Sequence, residues 1–374
     1  PKHLEDLKRD LKPISDGTYE FNNCFFMLSS EISLIYSQDG KGRKVHVVML
    51  APDLEVVDQI NEALDKWGRR DYDGRPIFGR SCIELADEMM KISKDIMLIP
   101  AHAWTPYFGV FGSMSGFDSV EECFAERSKC VTALETGMSS DPAMNWRLSS
   151  LDKYALVSFS DSHSPYPWRL GREACVFDLK KPSYFEMKKA VEEKDKKKFI
   201  MTVETDPAYG KYHYDGHRAC GVSFPPEETK RLKGICPICK KPLTIGVENR
   251  VEQLADRPTS FIPENAIPFK RIIPLHEIIA AMLKSTLASK KVKEEADRLI
   301  NAFGSELNVL LKAPEKTLKE LTHERIADAV MLNREGKVKI KPGYDGEYGK
   351  PLFDQNERIE EKPKCAPQKT LGEF

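Results

Sequence analysis

The sequence predicts an α/β protein with a parallel sheet or barrel in its N-terminal half. Between about residues 20 and 180, runs of apolar, β-branched and aromatic residues alternate with amphipathic stretches of helical periodicity. Repeated strand–helix units of this kind are typical of parallel α/β architectures. The chain has 374 residues, 41% of them hydrophobic, which is enough for one large domain or for two to three smaller ones.

Six runs predict the strands, and they lie at 25–37, 44–52, 96–103, 131–137, 154–163 and 172–179. Amphipathic helices are predicted over 53–67 and 82–93, where apolar residues recur on one face. A helix rich in Lys and Glu is predicted over 182–198 and ends this region.

Changes of composition divide the chain into four predicted segments. The first, 1–204, carries the strand–helix pattern, and 205–260 follows with turn residues and a cysteine cluster. The third, 261–353, begins with a Pro-punctuated connector and is mostly helical. The last, 354–374, is polar and is predicted to be flexible.

Charge and cysteine content exclude several classes of protein. The net charge of −1 indicates no particular partner. No apolar run approaches ~18 residues and no signal peptide is recognisable, so we expect no membrane partner. The nine cysteines are mostly scattered singly, unlike a secreted disulfide framework. We therefore expect a reducing compartment and a cytoplasmic location.

Side chains that can ligate metal ions accompany five predicted strands: Glu31 in the first, His46 in the second, His102 and Glu135 at the ends of the third and fourth, and Asp161 with His163 at the end of the fifth. Chemistry in a parallel α/β barrel gathers at the carboxyl ends of the strands. Residues i and i+2 of a strand point to the same face, so Asp161 and His163 are predicted to converge on one centre. Imidazole nitrogens and carboxylate oxygens are ligands of zinc, manganese and iron. A lone His46 between valines is more often a hydrogen-bonded core histidine, but these residues together indicate a metal site.

This order of residues, Glu31, His46, His102 and then Asp161-x-His163, resembles the polymerase and histidinol phosphatase (PHP) superfamily. Its members are distorted seven-stranded β/α barrels that bind metal ions and hydrolyse phosphoesters. The resemblance implies that the first two strands of the barrel, with a His-x-His motif, are missing from this sequence. It also implies that all five residues are metal ligands, with Asp161 and His163 in catalytic roles.

A closer resemblance is carried by four segments: LIPAHAWTPYFGVFGS, SFSDSHSPYPWRLGREA, YHYDGHRACGVSF and NRVEQLADRP. Together they are similar to the archaeal-type endonuclease Q family of DNA repair enzymes. Members of that family nick DNA 5′ to deaminated bases such as uracil, hypoxanthine and xanthine, and at abasic sites. The resemblance implies a metal-dependent endodeoxyribonuclease whose partner is damaged DNA and whose active-site metal is Zn²⁺, Mg²⁺ or Mn²⁺.

Aromatic and basic side chains near the predicted strand ends are the candidates for reading a lesion. A deaminated base pairs poorly, so its extrusion costs less free energy, and aromatic walls can stack on it. The residues predicted to bind substrate are Glu135, Tyr107, Phe108, Ser164, Trp168, Arg169 and Arg172. Trp104, Phe111 and Tyr166 lie in the same loops, and at least half of these aromatic residues are expected to pack the barrel rim instead.

The spacing His217-x2-Cys220-x15-Cys236-x2-Cys239 predicts a tetrahedral, structural zinc site. The tight Cys-Pro-x-Cys turn aims both of its sulfurs at one ion. His213 is the alternative fourth ligand. Residues 211–250 contain eight Lys or Arg against four Asp or Glu. This surplus favours contact with a nucleic acid backbone. The alternative is a solvated unit that only stabilises the fold.

The C-terminal part offers two further sets of contacts. Within the helices of 275–335, Lys290, Lys291 and Lys293 either meet phosphate or form a solvated face. The tail QKTLGEF carries Gln368, Leu371 and Phe374 in a pattern that resembles the peptide by which proteins bind the sliding clamp (PCNA). The resemblance implies PCNA as a second partner.

Two other functions are compatible with parts of the pattern. A small-molecule phosphoesterase of the same superfamily would use the same ligands, but it would need neither the zinc unit nor the clamp-like tail. A non-catalytic, clamp-tethered DNA-binding scaffold would not need the ligands at the strand ends. We therefore predict a DNA repair endonuclease.

Overall fold

The structure is a computed structural model, and it describes all residues except Pro1, Asp73, Pro167 and 354–374. The chain divides into two compact units. The first comprises the chain up to Pro165, Glu173–Glu204 and Leu254–Lys270, and the second comprises Tyr166–Arg172, Thr205–Gln253 and the chain from Arg271 on. The predicted segments 205–260 and 261–353 thus fall together in the second unit, apart from residues 254–270.

In chain order, the strands and α-helices of the described residues are α1 (Lys2–Asp10), β1 (Lys12–Ser15), β2 (Thr18–Phe21), β3 (Cys24–Gln38), β4 (Lys41–Ala51), α2 (Leu54–Asp65), β5 (Ile77–Phe78), α3 (Cys82–Ile92), β6 (Met97–Pro100), α4 (Val120–Phe124), β7 (Ala133–Glu135), α5 (Pro142–Asn145), β8 (Ala155–Val157), β9 (Ala174–Phe177), α6 (Tyr184–Glu192), β10 (Phe199–Glu204), β11 (Asp215–His217), β12 (Val222–Phe224), α7 (Pro226–Arg231), α8 (Val247–Leu254), β13 (Phe269–Arg271), α9 (Leu275–Met282), α10 (Lys290–Phe303), α11 (Glu306–Leu311), α12 (Glu315–Leu321), α13 (Glu324–Arg334), β14 (Lys339–Lys341) and β15 (Lys350–Leu352). The two predicted amphipathic helices form as α2 and α3. The predicted helix over 182–198 is shorter, as α6, and the strand β10 after it was not predicted.

The pairing of the first long strands differs from the prediction. β3 and β4 form an antiparallel hairpin, and β4 pairs antiparallel with β6, where the strand–helix pattern predicted parallel neighbours. The reason is local: Asp39 and Gly40 have φ angles of +54° and +71° and join the two strands as a two-residue turn. Asp-Gly is a strong hairpin signal, because both central residues of such a turn need positive φ. β7 and β8 do pair in parallel.

The α/β fold and the helical C-terminal region agree with the prediction. Within the described residues, however, the strands are distributed over five sheets rather than one closed seven-stranded barrel. The largest sheet has the order β1-β2-β3-β4-β6, with β5 beside β3, and the second has the order β13-β10-β9. The other three are strand pairs, one of them the parallel pair β7-β8.

Helix caps and an apolar core hold the elements of the first unit in place. Ser81 and Glu84 form a reciprocal capping box at the start of α3, an arrangement that satisfies backbone donors at a helix N-terminus. Ile32 and Leu34 of β3 and Val47 of β4 are fully buried on one face of the hairpin. Because side chains alternate along a strand, Glu31 and His46 point to the opposite face.

The second unit combines a small β hairpin with a group of helices. The hairpin is formed by β11 and β12, and helix α9 packs against α10, α11 and α13. Leu275, Ile278 and Ile279 of α9 are fully buried. Within the described residues, no helix is both long and apolar enough to span a membrane.

Candidate functional site

Three of the predicted metal ligands in the first unit converge. His46 Nδ1 lies 2.9 Å from Glu31 Oε1 and 3.0 Å from His102 Nε2, and the third distance, from His102 Nε2 to Glu31 Oε1, is 3.5 Å. Ligand atoms bound at about 2.1 Å in tetrahedral or octahedral geometry lie about 3.0–3.4 Å apart. The triangle therefore has the dimensions of one face of a metal coordination polyhedron.

The register of the β3–β4 hairpin brings the first two ligands together. Glu31 is paired with Val48, so His46 is its diagonal neighbour on the same face. Diagonal neighbours in a sheet are within reach when one side chain is long. A shift of one residue in this register would place the two side chains on opposite faces of the sheet.

The third ligand comes from a turn rather than from a strand. His102 follows β6 by two residues and has a φ angle of +31°. Its backbone N–H donates a hydrogen bond of 2.8 Å to Glu135 Oε2 at the end of β7. Gly137 packs directly against it, because a Cβ at that position would lie 2.7 Å from His102 Cβ. The Glu135 carboxylate and the close approach of Gly137 thus orient His102.

Opposing effects set the charges of the three ligands. Burial acts to raise the pKa of Glu31, but hydrogen bonds from His102 and His46 outweigh it and lower that pKa. Burial lowers the pKa of His46. Burial also acts to lower the pKa of His102, but its hydrogen bond with Glu31 and the charge of Glu135 outweigh this effect, and the pKa is raised. An ionised Glu31 and a neutral His46 are the forms that a metal ion binds.

Arg75 is a member of this site that the sequence analysis missed. Its Nη1 donates to Glu31 Oε1 at 2.8 Å and also contacts His46 Nδ1. The guanidinium cannot lose its proton, so it places a permanent positive charge beside the carboxylate. Arg75 lies in a charged, turn-rich stretch between α2 and β5, and no motif there marks it.

The first predicted lesion-reading loop divides into buried and exposed aromatic rings. Trp104 and Phe111 are fully buried and pack against each other, with ring centroids 4.7 Å apart, so neither can meet a base in this fold. Phe108 stacks on the His46 ring, with ring centroids 4.3 Å apart, and so lies beside the three-residue cluster. Tyr107 is 41% exposed. Of these four rings, only Tyr107 is freely presented to solvent.

Glu135 lies at the end of its strand, as predicted, but it is almost completely buried. Burial raises its pKa to about 7, against the opposing charge and backbone N–H of His102. A carboxyl in this position orients His102 from behind. Its predicted role in substrate binding is therefore not supported by its burial.

Asp161 and His163 do not lie on a strand, and this part of the prediction is wrong. β8 ends at Val157, and Asp161 lies in the following loop with a φ angle of +40°. The alternation of a strand therefore does not apply to them. His163 Nδ1 lies 3.7 Å from Asp161 Oδ1, and the His163 side chain is 75% exposed. Neither belongs to the three-residue cluster, although the charge of Asp161 helps to raise the pKa of His102 and of Glu135.

A second group of described residues that could hold a metal ion lies in the second unit and comprises His217, Cys220, Cys236 and Cys239. Their ligand atoms all lie within 4.8 Å of one another, and Cys239 Sγ is 3.2 Å from His217 Nδ1. A hydrogen bond from the backbone of Lys241 leads the effects that lower the pKa of Cys239, which favours the thiolate. His213, the alternative ligand, is outside this group and lies 3.8 Å from Glu248 Oε2.

The other residues predicted to bind substrate are Ser164, Trp168, Arg169 and Arg172. Ser164 belongs to the first unit, whereas the segment Tyr166–Arg172 belongs to the second. There the Trp168 ring lies 5.3 Å from the His276 ring, and Arg169 Nη1 lies 3.3 Å from Glu277 Oε1. Arg172 is buried.

The predicted clamp-binding residues Gln368, Leu371 and Phe374 lie outside the described residues. Lys290, Lys291 and Lys293 are exposed on α10. Exposure of these lysines is compatible with both a phosphate contact and a solvated face.

Comparison with known proteins gives two matches among curated sequences. The chain is 32% identical to "Uncharacterized protein MJ0043" of Methanocaldococcus jannaschii over 67% of this chain and 31% of that protein. It therefore spans about a third of that relative. It is 27% identical to "Uncharacterized protein YqxK" of Bacillus subtilis over 91% of this chain and 81% of that protein. Residues 274–337 match the family described as "MJ0043 C-terminal domain".

Two solved structures resemble nearly the whole chain. One is the lesion-specific endonuclease PfuEndoQ from Pyrococcus furiosus, 30% identical, with a TM-score of 0.81 and coverage of 100% of this chain and 88% of that chain. The other is endonuclease Q in complex with a 27-mer duplex that has an abasic lesion at the active site. It is also 30% identical, with a TM-score of 0.84 and coverage of 96% and 88%. These likenesses place the chain among the endonucleases, a class of hydrolase. It belongs to the endonuclease Q family.

Proposed function

We propose that the protein is a DNA repair endonuclease that hydrolyses the phosphodiester bond 5′ to deaminated bases, namely uracil, hypoxanthine and xanthine, and at abasic sites. The observation that carries this proposal is the convergence of the donors of Glu31, His46 and His102. This cluster lies in a chain whose fold matches 88% of a lesion-specific endonuclease. The position of the nick and the range of bases rest on the family resemblance.

The residues of the first unit fit a divalent metal ion. Glu31, His46 and His102 would hold it, and two imidazole ligands favour Zn²⁺ or Mn²⁺ over Mg²⁺. A bound cation would supply neutralisation of the scissile phosphate and a more acidic water molecule. The PHP resemblance adds Asp161 and His163 as further ligands and catalytic residues.

Other residues of the chain would act directly on the substrate. The Arg75 guanidinium, 2.8 Å from Glu31, supplies a fixed charge of the kind that binds phosphate oxygens in a forked geometry. Tyr107 of the first unit would contact the substrate, and in the second unit Trp168, Arg169 and Arg172 would do so. In the second unit, the cluster of His217, Cys220, Cys236 and Cys239 would bind a structural zinc ion.

Two partners complete the proposal. The basic surplus of residues 211–250 would contact the phosphates of damaged DNA. Gln368, Leu371 and Phe374 would bind the sliding clamp PCNA, and this part of the proposal rests on the sequence pattern alone.

An incision assay tests the activity. Duplexes with a single uracil, hypoxanthine or abasic site are incubated with the protein and Mn²⁺, Mg²⁺ or Zn²⁺. We expect a nick 5′ to the lesion, and we expect Asp161→Asn to abolish it. Asp39→Asn is the matched control, because Asp39 also has positive φ, at the hairpin turn, and it should leave nicking unchanged.

The remaining outcomes identify the alternatives. Hydrolysis of a small phosphomonoester without nicking would indicate a small-molecule phosphoesterase. Tight binding to lesion-containing DNA without hydrolysis of either substrate would indicate a scaffold.

A further inference from the structure

Glu277 of helix α9 is a buried carboxylate with two specific partners. Its side chain is 6% exposed, and its Oε1 lies 3.3 Å from Arg169 Nη1. Its Oε2 accepts a hydrogen bond from the Tyr209 hydroxyl. Burial raises the pKa of Glu277, while Tyr209 and the charges of Arg169 and Arg172 oppose that shift. The Arg169 side chain is 32% exposed, so the pair anchors the arginine from its buried side, through Glu277.

Arg169 belongs to the segment Tyr166–Arg172, which we call the aromatic loop. The rings of Tyr166 and Trp168 are stacked, with centroids 4.7 Å apart and an interplanar angle of 5°. The Trp168 ring also lies against the His276 ring. Two consecutive residues of α9, His276 and Glu277, thus hold Trp168 and Arg169 of the loop.

The outer member of the ring pair is open to solvent. Tyr166 is 55% exposed, although the Trp168 ring beneath it is held against His276 of α9. An exposed aromatic ring on a fixed support is a surface on which a nucleobase can stack, since every base has a π face. Proteins that act on a base within duplex DNA extrude it and stack it on such rings.

We infer that Glu277 and Tyr209 are positioning residues that hold the Tyr166–Trp168 ring pair as a stacking platform for the base extruded at a lesion. The inference rests on the proposed function, which it extends to the recognition of the base. Glu277 acts through Arg169 and touches no substrate itself. An abasic site brings no base to the platform, so the platform contributes to nicking at uracil and not at an abasic site.

The test compares two substrates that differ only at the lesion. KM and kcat are measured for nicking of one duplex sequence that carries either uracil or an abasic site. Glu277→Gln keeps the size of the side chain and removes the charge that pairs with Arg169. We expect its KM for uracil DNA to rise about five- to hundredfold, the range that the loss of one stacking contact implies. Its KM for abasic DNA and both kcat values should stay near those of the original protein.

Two further variants separate positioning from folding. Tyr166→Ala removes an exposed ring and should show the same selective rise in KM for uracil DNA. Glu295→Gln is the matched control: Glu295 lies on α10 of the second unit, where it also pairs with an arginine, Arg298, and accepts a hydrogen bond from a hydroxyl, that of Thr322. It should leave the ratio of the two KM values unchanged.

Each outcome bears on one proposal. An unchanged KM ratio in Glu277→Gln and Tyr166→Ala, with nicking of both substrates by the original protein, would overturn the inference and leave the proposed function standing. If Glu277→Gln impaired nicking of both substrates equally, Glu277 would have only a structural role, and the inference would also be overturned. Absence of nicking of either substrate by the original protein would instead remove the proposed function.

Discussion

His46 Nδ1 lies 3.0 Å from His102 Nε2, and both nitrogens face the carboxylate of Glu31. At this separation the two lone pairs repel unless a proton or a shared cation lies between them. Burial lowers the pKa of His46 and so favours its neutral form. The arrangement is therefore suited to bind a metal ion, and its geometry depends on the contacts of Glu135 and Gly137 with His102.

Gly137→Ala should weaken metal binding by the first unit. Gly137 has a φ angle of +60°, and an added Cβ would lie 2.7 Å from His102 Cβ, so His102 must move. We expect the affinity for Mn²⁺, measured by calorimetry, to fall about tenfold or more, which corresponds to about 1.4 kcal/mol.

Gly40→Ala is the control for that experiment. Gly40 has a similar φ angle of +71°, but no atom lies within 4 Å of the added Cβ. Alanine at this positive φ angle costs about 1–2 kcal/mol of stability, but it displaces no residue of the cluster. Equal Mn²⁺ affinity in the two variants would contradict the role of Gly137.

Cys236→Ser should abolish binding of the zinc ion that we propose for the second unit. Cys236 is fully buried, and its sulfur is one of the four ligand atoms of that cluster. We expect zinc content, measured with a chromogenic chelator after unfolding, to fall by one ion per chain. Because a structural zinc ion contributes folding free energy, residues 211–250 should also become more sensitive to protease. Cys24→Ser changes an exposed cysteine outside the cluster, and a matching loss of zinc there would refute the assignment.

Glu204→Gln should change how stability depends on pH. The Glu204 carboxyl is fully buried and accepts hydrogen bonds from the hydroxyls of Thr136 and Thr202. Burial raises its pKa to about 8. Between the ordinary carboxyl pKa of about 4.3 and this value, the folded chain retains a proton that the unfolded chain has lost. The contribution of Glu204 to the free energy of unfolding therefore decreases as pH rises through that window.

The measurement is urea unfolding at a series of pH values. The stability of Glu204→Gln relative to the original protein should increase from about pH 5 to about pH 8.5, by an amount on the order of a few kcal/mol. Glu62→Gln, at an exposed position of α2, should show no such trend. Parallel curves for the original protein and Glu204→Gln would show that the buried carboxyl does not titrate in this range.

Trp104→Ala and Tyr107→Ala should differ sharply in stability. Trp104 is fully buried, and its Nε1–H donates a hydrogen bond of 2.8 Å to Asn145 Oδ1. Its loss should cost about 3–5 kcal/mol. Tyr107 is exposed, so its replacement should change the free energy of unfolding by about 0.5 kcal/mol or less. Urea unfolding measures both, and similar losses would contradict the burial of this loop.

The cluster of one histidine and three cysteines was predictable from the sequence alone. His217, Cys220, Cys236 and Cys239 were predicted from their types and spacing, and the structure brings all four together. Such ligands lie in two local turns, where backbone geometry depends mainly on neighbouring residues. The hairpin signal of Asp39 and Gly40 is equally local, but the prediction did not use it and took the strands on either side as parallel neighbours.

The metal centre of the first unit required more than residue types. Glu31, His46 and His102 were predicted, but the strand register and a turn after β6 brought them together. Asp161 and His163 were predicted to lie on a strand, but β8 ends at Val157. Its partner strand β7 ends opposite, at Glu135, so the pairing stops there.

The sequence by itself determined the α/β class, the members of the Cys/His cluster and the donors of the candidate metal site. Each of these follows from periodicity, spacing or side-chain chemistry within a short stretch. Only the tertiary structure decided that Arg75 joins Glu31, that Trp104 is buried, and that Glu277 holds Arg169. These contacts join residues far apart in the chain, and they depend on packing that no local pattern encodes.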